Sequence, residues 1–316
     1  MKRSFLIILM VVLGSLLVIS GCSGKKKTRY SNGRLKEEFY LKKDAEGNKV
    51  RHGLYIAYWP NKNKREECNY TMGKRDGKYI AYWANEKVKT EGTYTNGIQQ
   101  GTFTEYFENG NKKMEATFTD GKRDGPFAEW YENGIKSEET HYKNGKKNGL
   151  STIWYENGTK AIEGVFKNDK EEGVHQQWYD NGKKKEKYIY RSGKADGKCV
   201  QWYKNGKVFA VTVFKDGKEV TSDGWYENGK KQFSYTYKDG KKHGVAIDWF
   251  EDGKKKVEAH FKDGLYEGKY TEWYENGKKM VQGIFKDGKE QGKFMVWSEK
   301  GKKLPPEVYE DGVRVQ

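Results

Sequence analysis

Residues 130–154 read WYENGIKSEETHYKNGKKNGLSTIW, and this stretch decides the fold. It runs from one tryptophan to the next and carries two turn signals, Asn133-Gly134 and Asn144-Gly145. Asn-Gly between strand-forming residues is a strong hairpin signal, because a type I′ turn needs positive φ at both of its central residues. Two such turns leave room for two strands of about six residues each. The stretch therefore predicts one complete β-hairpin repeat.

The first aromatic residue of this pattern recurs along the chain at a nearly constant spacing. It falls at Tyr58, Tyr82, Tyr106, Trp130, Trp154, Trp178, Trp202, Trp225, Trp249, Trp273 and Trp297. Successive positions are 24 residues apart, except for the 23 residues between Trp202 and Trp225. A fixed period of this length is typical of arrays in which each repeat packs on its neighbours. We expect an array of about twelve such repeats over residues 30–316.

Each repeat also has a second half, with its own aromatic residue and its own turn. Phe118 is followed by Asp120-Gly121, and a further glycine, Gly125, lies four residues beyond that turn. No stretch of the repeats has the apolar spacing of a helix. Consecutive prolines, which interrupt strand formation, occur near the end of the chain at Pro305 and Pro306. The pattern predicts an all-β fold, an elongated single-layer antiparallel sheet of tandem β-hairpin repeats that forms a solenoid-like ribbon.

Alternation along the strand before Trp130 predicts which side chains share a face. Phe127 and Tyr131 are expected on one side of the strand, and Ala128 and Trp130 on the other. In register, the repeats would form a ladder of tryptophans along one face and a ladder of tyrosines along the other. Such cross-strand aromatic pairs stabilise a sheet, so a ladder can replace a deep core.

Composition supports a thin ordered sheet rather than two ordinary globular domains. Hydrophobic residues make up 34% of the 316 residues and the mean hydropathy is −1.07, which is too polar for a large two-layer core. Polarity of this kind is typical of disorder, but a content of 15% aromatic residues at fixed intervals is not. The formal net charge of +16 attracts anionic partners such as acidic lipid, envelope polymer or acidic protein. The alternative is that the lysines in the turns only keep the array soluble.

The N-terminal segment is typical of an export signal. A positive start and an apolar stretch over residues 5–19 are followed by small residues and then Cys22. This arrangement resembles the bacterial lipobox, in which the cysteine becomes the lipidated first residue. We expect a lipoprotein signal peptide over residues 1–21, and a lipidated Cys22 with a polar tether over residues 22–29. The mature protein would be an exported, membrane-anchored lipoprotein of the cell envelope or surface; an uncleaved membrane anchor is the alternative.

The residue types that carry catalysis or bind metals do not form a recognisable constellation. Surface or turn positions are expected for the five histidines, which are His52, His141, His175, His243 and His260. Cys68 and Cys199 are too far apart along an array for a disulfide, so we expect two free thiols packed as small apolar residues. A glutamate recurs at one repeat position and is expected to pair across strands, at Glu115, Glu139, Glu163 and Glu258. We therefore expect neither an enzyme activity, nor a metal site, nor a cofactor.

The combined pattern W/Y-Y-E-N-G-K, then Y/F-K-D-G-K and a later glycine, resembles the MORN-variant repeat. That repeat occurs in bacterial proteins described as YwqK-type antitoxins of toxin–antitoxin systems. The resemblance covers about Tyr30 to Gly312. It implies a sheet of hairpins used as a scaffold for protein or lipid contact, and the antitoxin description implies that a toxin protein is bound and neutralised.

Two stretches depart from the repeat pattern. Residues 218–221, Lys-Glu-Val-Thr, lack the later glycine in the repeat that is one residue short, and Asn168-Asp169 replaces the usual Asp-Gly. Either departure could kink the sheet or be tolerated as a turn variant, and tolerance is favoured.

Two functional hypotheses stay open. The first is a scaffold that binds a protein partner, for example a toxin. The second is a module that binds envelope carbohydrate, anionic polymer or lipid, in which tryptophans stack on sugar rings or contact quaternary amines. The candidate binding residues are Trp130, Trp154, Trp178, Trp202, Trp225, Trp249, Trp273 and Trp297. Membrane contact is expected through the lipid anchor, and nucleic acid is not an expected partner because the protein is exported.

Overall fold

The computed structural model describes residues 23–316, and within this range every regular element is a β-strand. The predicted all-β fold of antiparallel tandem hairpins is confirmed. The predicted signal peptide, residues 1–21, and Cys22 lie outside the described residues. The chain divides into two units, the first ending at Gln100 and the second covering Gly101–Gln316.

The first unit contains strands β1 (Ser23–Arg29), β2 (Leu35–Lys43), β3 (Lys49–Arg51), β4 (Gly53–Tyr58), β5 (Lys64–Thr71), β6 (Lys74–Tyr82) and β7 (Val88–Thr95). Strand β8 (Ile98–Tyr106) includes the division between the two units. The second unit begins with β9 (Lys112–Thr119), β10 (Lys122–Trp130), β11 (Lys136–Lys143), β12 (Lys146–Trp154), β13 (Lys160–Lys167), β14 (Lys170–Trp178), β15 (Lys184–Arg191), β16 (Lys194–Ala195), β17 (Gly197–Trp202) and β18 (Val208–Lys215). It ends with β19 (Lys218–Trp225), β20 (Lys231–Lys238), β21 (Lys241–Lys242), β22 (Gly244–Trp249), β23 (Lys255–Lys262), β24 (Leu265–Trp273), β25 (Lys279–Lys286), β26 (Lys289–Val296), β27 (Glu307–Glu310) and β28 (Val313–Arg314).

The segment expected to be a polar tether is instead part of the sheet from Ser23 onward. Residues 23–29 form β1, which pairs antiparallel with β2. The reason is electrostatic as well as geometric. Lys25 and Lys27 both contact the carboxylate of Glu38, which is only 7% exposed, and the hydrogen bond from Lys25 lowers the pKa of that carboxyl. Two lysines of the expected tether therefore have a partner within the protein.

The two turns of a repeat belong to different types. In the second turn, Asp120 and Gly121 have φ values of 49° and 73°, so the predicted type I′ turn is confirmed there. In the first turn only Gly134 has a positive φ, at 85°. The Gly134 N–H donates to the Tyr131 carbonyl (2.9 Å) and the Tyr131 N–H donates to the Ile135 carbonyl (2.8 Å). This is a three-residue loop with a type I turn and a glycine bulge, so the type I′ prediction for Asn133-Gly134 is wrong.

The later glycine of each repeat lies in a β-bulge. Arg123 pairs with Phe118, but the next pair is Phe127 with Ala116, so three residues of β10 oppose one residue of β9. Gly125 lies in this bulge with a φ of 121°, a conformation that side chains with a Cβ rarely adopt.

The short repeat loses its residue at the same bulge. Phe214 pairs with Glu219 and Val213 pairs with Thr221, so only Val220 is extra. Beyond the bulge, Thr212 pairs with Ser222, which lies three residues before Trp225 just as Phe127 lies before Trp130. The deletion is therefore absorbed locally and the register is restored, as tolerance of this departure predicted.

The Asn-Asp substitution is tolerated as well. Asn168 and Asp169 adopt φ values of 52° and 66°, which are the values of a type I′ turn. Asn and Asp enter this region at a lower energetic cost than other residues with a Cβ, because their side chains bond locally to the backbone.

The core of each unit is a single line of side chains on one face of the strands, which we call the interior row. Its members lie side by side on successive strands. On every second strand the member is the residue three positions before the first aromatic of the repeat. On each strand between, it is the residue that lies opposite that position. In the first unit they include Tyr55, Cys68, Tyr79 and Gly92. In the second unit they are Phe103, Ala116, Phe127, Thr140, Ser151, Gly164, His175, Tyr188, Cys199, Thr212, Ser222, Tyr235, Ala246, Ala259, Tyr270, Gly283 and Phe294.

The interior row differs from the predicted ladder of tyrosines. Large rings lie among small residues, as where Phe103 and Phe127 flank Ala116, so that each ring has at least one small neighbour in the row. Rings on the same hairpin also meet edge to face, for example Phe127 and Tyr142 with centroids 5.6 Å apart. The row fills a thin sheet with side chains that interlock along it, and the tryptophans are not part of it.

Candidate binding surface

The tryptophans expected to bind a partner are half-buried in every repeat where they occur: Trp130, Trp154, Trp178, Trp202, Trp225, Trp249, Trp273 and Trp297. In most of these repeats a lysine lies over the tryptophan ring. Lys112 Nζ is 5.5 Å from the Trp130 ring centroid, and Lys279 Nζ is 5.7 Å from that of Trp297. A cation–π contact at such a site contributes about 0.5–1 kcal/mol. Because the lysine covers one face of the indole, this arrangement favours a structural role for the tryptophans over stacking on a sugar.

The same lysine is paired with the recurring glutamate. Lys112 Nζ lies 2.6 Å from Glu115 Oε2, and Lys136 Nζ lies 3.0 Å from Glu139 Oε1. The other two recurring glutamates are paired in the same way, Lys160 with Glu163 and Lys255 with Glu258. The expectation of cross-strand pairing is wrong, because each glutamate bonds to the lysine three residues earlier on its own strand. The lysine is thereby held at the indole.

The second aromatic of each pair connects one repeat to the next. The Tyr131 hydroxyl donates to the Trp154 carbonyl at 2.7 Å, across 23 residues of sequence. The same hydrogen bond recurs from Tyr155, Tyr179, Tyr203, Tyr226 and Tyr274 to the first aromatic of the following repeat. This ladder of hydroxyl groups was not predicted from the sequence. The feature of the sequence that indicates it is that the second aromatic of the pair is usually tyrosine and not phenylalanine, which suggests that the hydroxyl group has a partner.

The asparagines and lysines of the first turn form a second set of bonds between repeats. Asn133 Nδ2 donates to the Glu156 carbonyl at 3.2 Å, and its Oδ1 accepts from the Ile135 N–H at 2.9 Å. Lys230 Nζ donates to the Asp252 carbonyl at 2.7 Å. Several of the turn lysines that raise the net charge are therefore bonded to the backbone of the following turn.

Replacing Tyr131 by phenylalanine is expected to lower the free energy of unfolding by about 0.5–1.5 kcal/mol, the usual loss for one hydrogen bond. The ring stays, but the Trp154 carbonyl loses its donor. Urea unfolding followed by circular dichroism measures the change. The control is Phe250→Tyr, which adds a hydroxyl where the native repeat has none and is not expected to destabilise the chain. Equal stability of wild type and Tyr131→Phe would contradict a stabilising role for the ladder.

The opposite face carries an outer row, made of the residues next to the interior row on each strand pair. Leu150 pairs with Val165, and in the next repeat Val174 pairs with Ile189. Leu150, Val165 and Val174 are 51%, 39% and 47% exposed. In neighbouring repeats the same positions carry a polar or charged member, such as Pro126–His141 and Lys198–Val213. Four aliphatic side chains on β12 to β15 therefore form an apolar patch, which we call the outer patch.

The cysteines behave as predicted. Cys68 and Cys199 are free and buried, each at a small position of the interior row. Burial raises the pKa of Cys68 and raises that of Cys199 to about 11, so both thiols are protonated at neutral pH. They pack as small apolar residues and have little thiolate character.

One histidine departs from expectation. His175 is 9% exposed in the interior row, so the expected surface or turn position is wrong for this residue. Its ring meets Phe166 and Tyr190 edge to face, and its Nε2 lies 2.9 Å from the Val165 carbonyl oxygen. It takes the place of an aromatic ring.

Among residues 23–316, no group of three or more His, Cys, Asp or Glu side chains is arranged to hold a metal ion. The same range contains no helix with the length and apolar character needed to cross a membrane.

A family profile described as "MORN repeat variant" matches more than half of the chain. The matched segments are residues 51–71, 75–96, 99–120, 123–144, 147–168, 171–192, 242–263 and 266–287. The segments between 192 and 242, which include the short repeat, are outside the matches. A comparison with curated proteins gives no match.

Among solved structures, the chain is similar to parts of two much longer chains. In "Crystal Structure of TcdB2-TccC3-Cdc42" the identity is 11%, the match covers 90% of this chain and 18% of that chain, and the TM-score is 0.19. In "Crystal Structure of TcdB2-TccC3 without hypervariable C-terminal region" the values are 10%, 91%, 17% and 0.16. The chain thus spans less than a fifth of those chains, and a likeness this distant does not bear on function.

Proposed function

The chain belongs to the MORN repeat variant family, and from that premise we propose that it is a non-catalytic scaffold that binds a protein partner. The outer patch carries this proposal. Soluble surfaces rarely keep neighbouring aliphatic side chains in water unless another surface covers them, and Leu150 and Val174 are about half exposed. The bonds between successive repeats support the same role, because they hold the patch on a regular framework before binding.

We place the protein in the cell envelope as an exported lipoprotein anchored through Cys22. The support is the sequence arrangement of a positive start, an apolar stretch and small residues before that cysteine. Two or more acyl chains hold a protein stably on a membrane, since each buried CH₂ contributes about 0.8 kcal/mol.

The partner we favour is a toxin protein that this chain neutralises. The support is the resemblance of the repeats to YwqK-type antitoxins, and the lipoprotein signal requires that such a toxin act in the envelope.

Crosslinking and pull-down from intact cells tests the scaffold. Wild type is expected to recover a stoichiometric protein, and Leu150→Ser/Val174→Ser is expected to recover it with affinity reduced about tenfold or more, because the apolar contact is lost. Leu265→Ser, at a position 53% exposed in a different repeat, is the matched control and should recover the partner as wild type does. Cys22→Ser should move the protein from the membrane to the soluble fraction. Recovery of no stoichiometric protein, or equal recovery by the patch variant, contradicts the proposal.

The alternative is a module that binds carbohydrate or anionic polymer of the envelope. The net charge of +16 favours it. Sedimentation with purified cell wall that is lost at high salt and in Trp178→Ala would support this function instead, because salt screens charge and the substitution removes a stacking ring.

A further inference from the structure

The interior row builds the same three-part arrangement in several repeats. A ring of the row meets a second ring fifteen residues later edge to face, as Phe127 meets Tyr142 at 5.6 Å. A cation four residues earlier lies over the first ring, as Arg123 lies over Phe127 with 4.4 Å between the guanidinium carbon and the ring centroid. In the first unit the same arrangement holds at Tyr55, with Arg51 at 4.3 Å and Tyr70 at 5.6 Å. We call this set of ring, second ring and cation a ring station.

Two repeats have the cation and the second ring of a ring station without its first ring. In the repeat of Ala246, the cation Lys242 lies over a ring of the preceding strand instead, 3.6 Å from the Tyr235 centroid. In the other repeat, that of Ser151, the neighbour on the preceding strand is Thr140 and offers no ring.

Lys147 occupies the cation position and Phe166 the second-ring position, but the row residue between them is Ser151. The neighbour of Ser151 on β13 is Gly164, so a ring is missing where two small residues lie side by side. Lys147 Nζ lies instead 5.6 Å from the Phe166 centroid.

A cavity of about 230 Å³ lies at this place. Its lining includes Ser151, Ile153, Ile162, Phe166 and His175. A cavity of about 150 Å³ accommodates a benzene molecule, so this one has room for a six-membered ring with a polar substituent. The lining side chains other than Ser151 and His175 are half-buried, so the cavity is reachable from the surface of the sheet.

The kind of ring that fits is indicated by a residue on the preceding strand, the one that pairs with the position two residues after the first ring. Tyr55 donates its hydroxyl to Glu37 Oε1 at 2.9 Å, and Glu37 pairs with Ala57, two residues beyond the ring. Phe127 has no hydroxyl, and the matching residue, opposite Glu129, is Met114. Carboxylate therefore accompanies the phenol, and an apolar side chain accompanies the phenyl ring.

The station at Ser151 carries the carboxylate. Glu138 pairs with Ile153, two residues beyond Ser151, which is the position that Glu37 holds relative to Tyr55. Lys147 Nζ lies 2.8 Å from Glu138 Oε1, as the cation and carboxylate of the Tyr55 station lie near each other, with Arg51 Nη2 3.7 Å from Glu37 Oε2. Lys147 lines the cavity, and Glu138 lies beside Lys147, bonded to its ammonium group. The site thus offers a cation for the face of an electron-rich ring, an aromatic edge and, next to the cation, an acceptor for a hydroxyl proton.

We propose that this cavity binds the tyrosine side chain of a protein partner, which completes the ring station with a ring from outside the chain. The proposal rests on the proposed function only for the source of the ring. A protein side chain is favoured over a free small phenol because the first ring of each complete station is itself a side chain of a β-strand, as Tyr55 is on β4 and Phe127 is on β10.

Ligand-observed NMR on the full chain tests the site with N-acetyl-L-tyrosinamide and N-acetyl-L-phenylalaninamide as probes. We expect the tyrosine probe to bind about tenfold more tightly than the phenylalanine probe, because only the phenol reaches the carboxylate of Glu138. Ser151→Tyr should abolish binding, since the chain then supplies its own ring, and should raise the melting temperature. Leu150→Tyr places the same side chain one residue away on the opposite face and should leave binding unchanged.

Glu138→Gln keeps the ring cavity and is expected to remove the preference for the tyrosine probe, a result that does not depend on how well Ser151→Tyr folds. Equal binding of both probes to wild type, or unchanged tyrosine binding in Ser151→Tyr, overturns the proposal. Binding of free L-tyrosine about tenfold more tightly than its peptide-like derivative would show that the ligand is the amino acid, and would also overturn it.

The result can be separated from that of the scaffold test. If intact-cell crosslinking recovers the same partner with wild type and with Ser151→Tyr, the tyrosine site fails and the scaffold function stands. If the probes bind as expected and no partner is recovered from cells, the scaffold function fails.

Discussion

Phe127→Ala is expected to lower the free energy of unfolding by about 3–5 kcal/mol, the usual cost of removing a large buried ring. Phe127 is 3% exposed, it lies between Ala116 and Thr140 on the neighbouring strands, and its edge-to-face contact with Tyr142 is lost as well. Because a single row of side chains forms the core, few neighbours are available to fill the space that the ring leaves.

Urea unfolding, followed by tryptophan fluorescence and circular dichroism, measures this change. Leu150→Ala is the matched control, because Leu150 is a large apolar residue that is 51% exposed in the outer row and should cost no more than about 0.5 kcal/mol. If the two substitutions destabilise the chain equally, the interior row is not the core.

Gly283→Ala is expected to lower the free energy of unfolding by about 1–3 kcal/mol through overpacking. A Cβ on Gly283 would lie 2.5 Å from three carbons of the Phe294 ring, far inside van der Waals contact. Backbone strain is not involved, since the φ of Gly283 is not positive. The cost therefore comes from the ring above it alone.

A double-mutant cycle with Phe294→Ala isolates that contact. Phe294→Ala alone is expected to cost about 3–5 kcal/mol, and in its presence the added methyl group of Gly283→Ala should cost almost nothing. Additive losses in the double variant would show that Gly283 is required for a reason other than the space under Phe294.

The hairpin repeats, the two free thiols and the tolerated departures could be predicted because their signals are local. Asp120-Gly121 specifies its turn through two adjacent residues, and the 24-residue spacing places each turn without knowledge of the rest of the chain. The type of the Asn133-Gly134 turn could not be predicted in this way. A type I′ turn and a three-residue loop with a glycine bulge both place the glycine at a positive φ, and they differ in whether Asn133 also has a positive φ.

The partners of the bonds between repeats could not be predicted, for a different reason. The hydrogen bond from Tyr131 to Trp154 joins residues that come together only when one repeat packs on the next. The alternation of side chains along one strand carries no information about how repeats pack. The cavity is an intermediate case. Ser151 in a slot that holds Phe127 in the preceding repeat is visible in the sequence, but its meaning depends on Lys147, Phe166 and the carboxylate across the strand.

Hydrogen–deuterium exchange of the native chain, read by mass spectrometry on overlapping peptides, tests the pairing of adjacent hairpins most directly. Slow exchange is expected throughout strands such as β10 (Lys122–Trp130) and β11 (Lys136–Lys143), with fast exchange confined to turns that recur every 24 residues, including the short loop at Glu132 and Asn133. Uniformly fast exchange, or slow exchange without that period, would contradict a core made by one row of interlocking side chains on paired strands.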